Sequence, residues 1–91
     1  MQLQEALYNW LSIKKVADER PDDTAARDTH DFFLEILEED HGVEIDRVDL
    51  EQEKYIVRYR MNGEEKTADF PRSMIDSLLR SIKAEPRYNE Q

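Results

Sequence analysis

Apolar residues recur along the chain with two different periods, and the change of period divides it. Over residues 3–18, Leu3, Leu7, Trp10, Ile13 and Ala17 return at steps of three and four, the spacing of one face of an α-helix. Lys14 and Lys15 stand in its second half, where cations suit the negative end of the helix dipole. Pro21 disfavours helical geometry at Arg20, and Asp22, Asp23 or Thr24 can cap a helix that follows. That second helix is predicted over residues 24–41, with Ala25, Thr29, Phe32, Phe33, Ile36 and Leu37 along its apolar side. Gly42 is its expected stop, because glycine tolerates the left-handed conformation after a helix end.

Beyond Gly42 the period falls to two. "VEIDRVDL" reads as a strand whose alternation slips between Ile45 and Val48, as a β-bulge makes it do. "EQEK" is the turn that follows. In "YIVRYRM", Tyr55, Val57, Tyr59 and Met61 point one way and Ile56, Arg58 and Arg60 the other. Asn62-Gly63 suits a two-residue hairpin turn, whose central positions both need positive φ. "EEKTADF" then returns as a third strand. The turn sets the register: Met61 opposite Glu64, Arg60 opposite Glu65, Tyr59 opposite Lys66, Val57 opposite Ala68 and Tyr55 opposite Phe70. One sheet face thereby collects Tyr55, Val57, Tyr59, Met61, Ala68 and Phe70, and that face should meet helices.

Pro71 suits the first turn of a last helix, and Ser73 with Asp76 resembles a capping box. Ile75, Leu78, Leu79 and Ile82 supply its buried stripe, and Pro86 ends it. The order is therefore α-α-β-β-β-α. The expected class is α+β, a three-stranded antiparallel meander with helices packed on one face. Residues 1–85 are expected to form a single domain and residues 86–91 a flexible C-terminal tail.

Composition adds a heavily charged surface to this picture. Of 91 residues, 38% are apolar and 38% charged. The 22 acids against 13 Lys and Arg leave a formal charge of −9. That balance opposes binding to nucleic acid backbones and anionic membranes, both of which call for cations on the protein. It favours a protein partner with a basic surface. There is no cysteine, hence no disulfide framework and no thiolate chemistry. The opening "MQLQEALYNW" lacks a basic start and a long apolar core, so no signal peptide is expected. No window approaches the roughly 20 apolar residues of a membrane span, and the cytoplasm is the expected location.

The stretch "THDFFLEILEEDHG" holds both histidines of the chain and the consecutive acids Glu38, Glu39 and Asp40. On a helical wheel it separates into faces, as an amphipathic surface helix does. His30 and His41 are eleven residues apart, about 16 Å along a helix axis, too far to share one metal ion. No H-x-x-x-H pair occurs, and "DRVDLEQE" lacks the glycine and spacing of a calcium loop. His41 beside Asp40 and Glu44 offers a partial ligand set, but a histidine at a helix C-terminus also suits the dipole. Neither metal nor cofactor is implied.

Catalysis finds little support. Ser12, Ser73, Ser77 and Ser81 all fall in predicted helices, no G-x-S-x-G elbow occurs, and Gly42 and Gly63 are the only glycines. Asp31, Glu35 and Glu39 lie along a helix exterior rather than across a cleft. An enzyme is not expected.

The acids do carry a functional expectation. Like charges at i, i+4 destabilise a helix, and Glu38, Glu39 and Asp40 sit at the end of the dipole that repels them. A segment that breaks local rules often does so for function. The expected partner-binding face is Asp28, Asp31, Glu35, Glu38 and Glu39. The competing reading is a solvated face that keeps an acidic protein soluble. A second, different expectation is nucleic-acid binding through Arg58 and Arg60 on the open sheet face, with Arg47 or Arg72 nearby. Against it, Tyr55 and Tyr59 point to the other face and cannot stack bases, and Glu65 and Asp69 neutralise the arginines. Trp10 is expected in the core. Tyr8, Leu11 and Val16 fall outside the first helix's stripe and either complete the core with the last helix or form a contact surface, in a monomer or a homodimer.

Overall fold

The computed structural model describes residues 1–84. Helix α1 (Leu3–Glu19) leads to helix α2 (Thr24–Glu35) and a π-helical turn (Ile36–Asp40). Strands β1 (Val43–Glu51), β2 (Lys54–Met61) and β3 (Glu64–Pro71) follow, and then helix α3 (Arg72–Ala84). The strands form an antiparallel meander in the order β1-β2-β3, with helices packed against it. This is the α+β arrangement that the periodicity predicts. The expected tail from Pro86 onward and the side chain of Ile82 lie outside the described residues.

The sheet follows its sequence pattern closely. Asn62 and Gly63 both take positive φ, and all five predicted pairs occur, from Met61 opposite Glu64 to Tyr55 opposite Phe70. The β1–β2 register shifts between Ile45 and Arg47, which is the predicted bulge, with Asp46 as the extra residue. Tyr55, Val57, Tyr59, Ala68 and Phe70 are buried beneath the helices, and Met61 is half-buried at the sheet end.

Helix α1 is the hub. Ala6, Leu7, Trp10 and Leu11 join the sheet residues, Leu37, Val43 and Ile75 in one core. Ile13 and Val16 join Ala26 of α2 and Leu79 of α3 in a second, smaller one. Leu11 and Val16 therefore complete the core, the first of the two expectations for them. Tyr8 is half-buried, with its ring edge against Phe70 and its hydroxyl donating to the Met74 carbonyl at 3.3 Å.

Helix α2 departs from expectation in two ways. Its inward line is Ala26, His30, Phe33 and Leu37, spaced four, three and four, while Ala25, Thr29 and Phe32 are exposed. The wheel cannot choose between Phe32 and Phe33, which differ by about 100°; contact with α1 chooses Phe33. The second departure is that the helix does not run to residue 41 as an α-helix but widens into the π turn from Ile36. Leu37 stays fully buried in that turn, and Gly42 ends it at φ +65°. At the other end Asp23 is the cap, its carboxylate accepting from the Ala26 N–H at 3.0 Å and from Arg20 Nε at 3.2 Å. The Ala26 bond, seconded by Arg20, holds the Asp23 carboxyl below its usual range.

The start of α3 also differs. Pro71 closes β3 instead of opening the helix, and Asp76 serves no capping box. Its carboxylate instead accepts from the Tyr55 hydroxyl at 3.0 Å and from Arg72 Nε at 3.3 Å. Leu78, expected inside, is exposed, while Ile75 and Leu79 are buried. Burial first, and the Asp76 bond second, hold the Tyr55 phenol above its usual range. A group raised in this way stabilises the fold fully below its unfolded value and loses that contribution as pH rises through its folded one. Stability should therefore fall along an alkaline limb above about pH 10. Tyr55→Phe should flatten this limb and cost about 1 kcal/mol at neutral pH. Urea titrations across pH measure both.

The β1–β2 turn carries visible backbone strain. Gln52 and Glu53 take φ of 50° and 63°, a left-handed pair without the Asn-Gly that such turns prefer. Each non-glycine residue there costs on the order of 1–2 kcal/mol. The turn is nevertheless tied down, because the Arg72 N–H donates to the Glu53 carbonyl at 2.9 Å. The double variant Q52N/E53G keeps that carbonyl and should raise stability by about 1 kcal/mol. A denaturation midpoint at or below that of the wild type would show that the strain is relieved elsewhere.

Candidate functional site

Helix α2 and the π turn after it carry the five acids singled out from the sequence. Asp28, Asp31, Glu35, Glu38 and Glu39 are all exposed. Phe32 stands in line with them, four residues after Asp28 and three before Glu35, and 56% of its surface is open. Residues at those spacings are neighbours on a helix surface. Phe33 turns inward beside it, and the two rings meet edge-on at 5.4 Å. The exposed ring thus has a half-buried neighbour steadying it.

Most of the charge on this face has no counter-charge among the described residues. Among the described residues no ion pair engages Asp28, Glu35, Glu38 or Glu39, while Asp31 accepts from the ring of its own neighbour His30 at 3.0 Å. The charge of Glu35, and then a hydrogen bond shared with it, push the Glu39 carboxyl above its usual range; Asp40 and Glu38 add to the effect. The repulsion inferred from the sequence is therefore present in the geometry, and the π turn places these acids at the close of the helix.

The sheet's open face is built in the opposite way. Arg58 donates to Asp49 at 2.7 Å and approaches Glu51 at 3.5 Å. Arg47 reaches the same Asp49 at 3.1 Å, Arg60 approaches Glu65 at 3.6 Å, and Lys54 approaches Asp69 at 3.6 Å. The hydrogen bond from Arg58, reinforced by Arg47, holds the Asp49 carboxyl below its usual range. Arg47, Arg58 and Arg60 do line a shallow trough of about 450 Å³. Their charge is already spent on carboxylates, and Tyr55 and Tyr59 are buried on the other face. Arg72 lies elsewhere, with Glu53 and Asp76.

The two histidines are not brought together. His30 faces Trp10 of α1, and His41 meets the Met1 carbonyl at 3.0 Å. Among the described residues no group of three or more His, Asp or Glu side chains is arranged to hold a metal ion. Ser12 is buried in α1, and Ser73, Ser77 and Ser81 lie on the exposed side of α3. Among the described residues no helix is long and apolar enough to cross a membrane.

Sequence reasoning missed Phe32 as a surface residue. Its spacing within the acid ladder was legible, but the adjacent Phe33 made both look like core. The partnership of His30 with Trp10, twenty residues away, has no local signal at all. Fold and surface together define a class: a small α+β module with one acidic helix face that, among the described residues, is largely without ion pairs and is centred on an exposed aromatic ring. No protein-family model, no curated protein and no solved structure matches the chain.

The raised Glu39 carboxyl makes a prediction with a definite sign. A carboxyl raised by folding favours the fold while protonated, and that advantage disappears as pH rises through its folded value. At neutral pH the ionised Glu39 therefore opposes its own helix. Glu39→Gln should raise the thermal midpoint at pH 7 and low salt. The gain should shrink with added salt, which screens exposed charges, and should vanish in acid, where Glu39 itself is neutral. Circular dichroism melts at several pH values check this.

Proposed function

We propose that this is a small, non-catalytic, cytoplasmic interaction or regulatory module that docks a basic surface of a partner protein through α2. The observation that carries the reading is Phe32, more than half exposed within a row of acids of which, among the described residues, only Asp31 has an ion-pair partner, the adjacent His30. Folding alone gives no reason for either feature. A solvated surface helix does well with mixed charges and no exposed aromatic ring.

The two features suit one kind of partner. Aromatic anchors concentrate binding energy when a pocket closes over them. Carboxylates around the anchor steer a basic surface toward it and select its register. An arginine on the partner can pair with Asp28 or Glu35 and lay its guanidinium on the Phe32 ring. Twelve residues of helix span about 18 Å, which suits a modest, salt-sensitive and reversible interface.

The test is affinity capture from the native host with wild type, E35K/E39K and F32A as bait, at low and at high salt. Lysine is favourable near a helix C-terminus, so E35K/E39K should fold and melt no lower than wild type. Wild type should retain a basic protein at low salt and lose it at high salt. E35K/E39K should abolish capture, and F32A should weaken it about tenfold or more. Equal capture by all three baits would sink the proposal and leave the solvated-face reading in its place.

A further inference from the structure

The contact between Trp10 and His30 holds α2 to α1 by a bond that only one protonation state of the histidine can make. Trp10 Nε1 lies 3.2 Å from His30 Nε2. An indole N–H can only donate, so Nε2 must be the bare, accepting nitrogen. The proton of the neutral ring is then on Nδ1, where it is donated to Asp31 Oδ1 at 3.0 Å. The two rings lie 5.9 Å apart, tilted by 43°. Trp10 is 3% exposed, while the His30 side chain is 23% exposed. One partner is locked in the core and the other is open to protons.

We propose that His30 is a protonation-sensitive latch between α1 and α2. A proton added at Nε2 leaves two N–H groups facing each other at the seam. The indole, buried, has then lost its acceptor, and an unmet buried donor is costly. The ring's second bond does not offset this, because Nδ1–H is already donated to Asp31, whose carboxylate is 67% exposed and screened by water. The other groups facing His30 along the groove are Lys14 and Asp18 of α1 and Arg27 of α2. Lys14 and Asp18 pair with each other at 2.7 Å, and Arg27 opposes added positive charge. The seam therefore loosens as pH falls, and α2 loosens with it. The device does not depend on what α2 docks.

The chain has one tryptophan and two histidines, which makes the test direct. Histidine changes charge between about pH 8 and pH 5. Across that span the indole N–H proton resonance of Trp10 should shift with the same midpoint as the His30 ring protons. Tryptophan emission should move to the red, and the urea midpoint should fall relative to His30→Gln. Glutamine can accept from the indole through Oε1 but does not titrate, so H30Q should lose all three transitions; H41Q should keep them. An invariant Trp10 resonance in wild type, or a midpoint that differs from that of His30, overturns the latch. The same transition in H30Q also overturns it. Should H30Q fail to fold, the paired Trp10 and His30 resonances of wild type decide alone.

Discussion

Everything in this molecule is arranged around the burial of α1 on more than one side. Its Ala6, Leu7, Trp10 and Leu11 enter the main core and its Ile13 and Val16 a second one. A helix that packs against two other helices and a sheet cannot afford a polar face of ordinary width. Ser12, on the same helix, is buried without a hydrogen-bond partner among the described residues. Polar side chains therefore appear at its margins, where Trp10 finds His30 and Lys15 lies over the Tyr55 ring at 5.2 Å. The other helices are amphipathic in the usual sense and take their orientation from α1.

The surface divides into two electrostatic regimes. On the open sheet face each strand contributes charges that its neighbour answers, as cross-strand pairs can, and Asp49 serves two arginines at once. On α2 and its π turn, Asp28, Glu35, Glu38 and Glu39 have no ion pair among the described residues, and the charge of Glu35 holds the Glu39 carboxyl above its usual range. Net charge alone could not separate these cases, because both faces are rich in acids. The difference matters for function. A satisfied face has little to gain from a partner, whereas an unsatisfied one gains from any cation placed against it.

How much could be read in advance depended on whether the relevant contact was local. The β2–β3 register was legible because Asn62-Gly63 fixes the turn and every pair follows from it by counting. The bulge at Asp46 was legible because an extra residue breaks a period of two. The inward line of α2 was not, since Phe32 and Phe33 both fit a helical stripe until α1 is in place. The capping box at α3 was misread for a similar reason: Asp76 has the right spacing for it, but a buried phenol two elements away is the stronger claimant.

The acidic face belongs to both categories. Its acids and their mutual repulsion are properties of i, i+4 spacing along one helix, and the sequence by itself determined them, as it did the element order and the hairpin. What only the tertiary structure decided is which residues stand among those acids and which are taken inward. Docking on α1 turned Phe33, His30 and Leu37 to the core and left Phe32 in the open. Those choices rest on contacts between elements, and a pattern within one element holds no record of its neighbours.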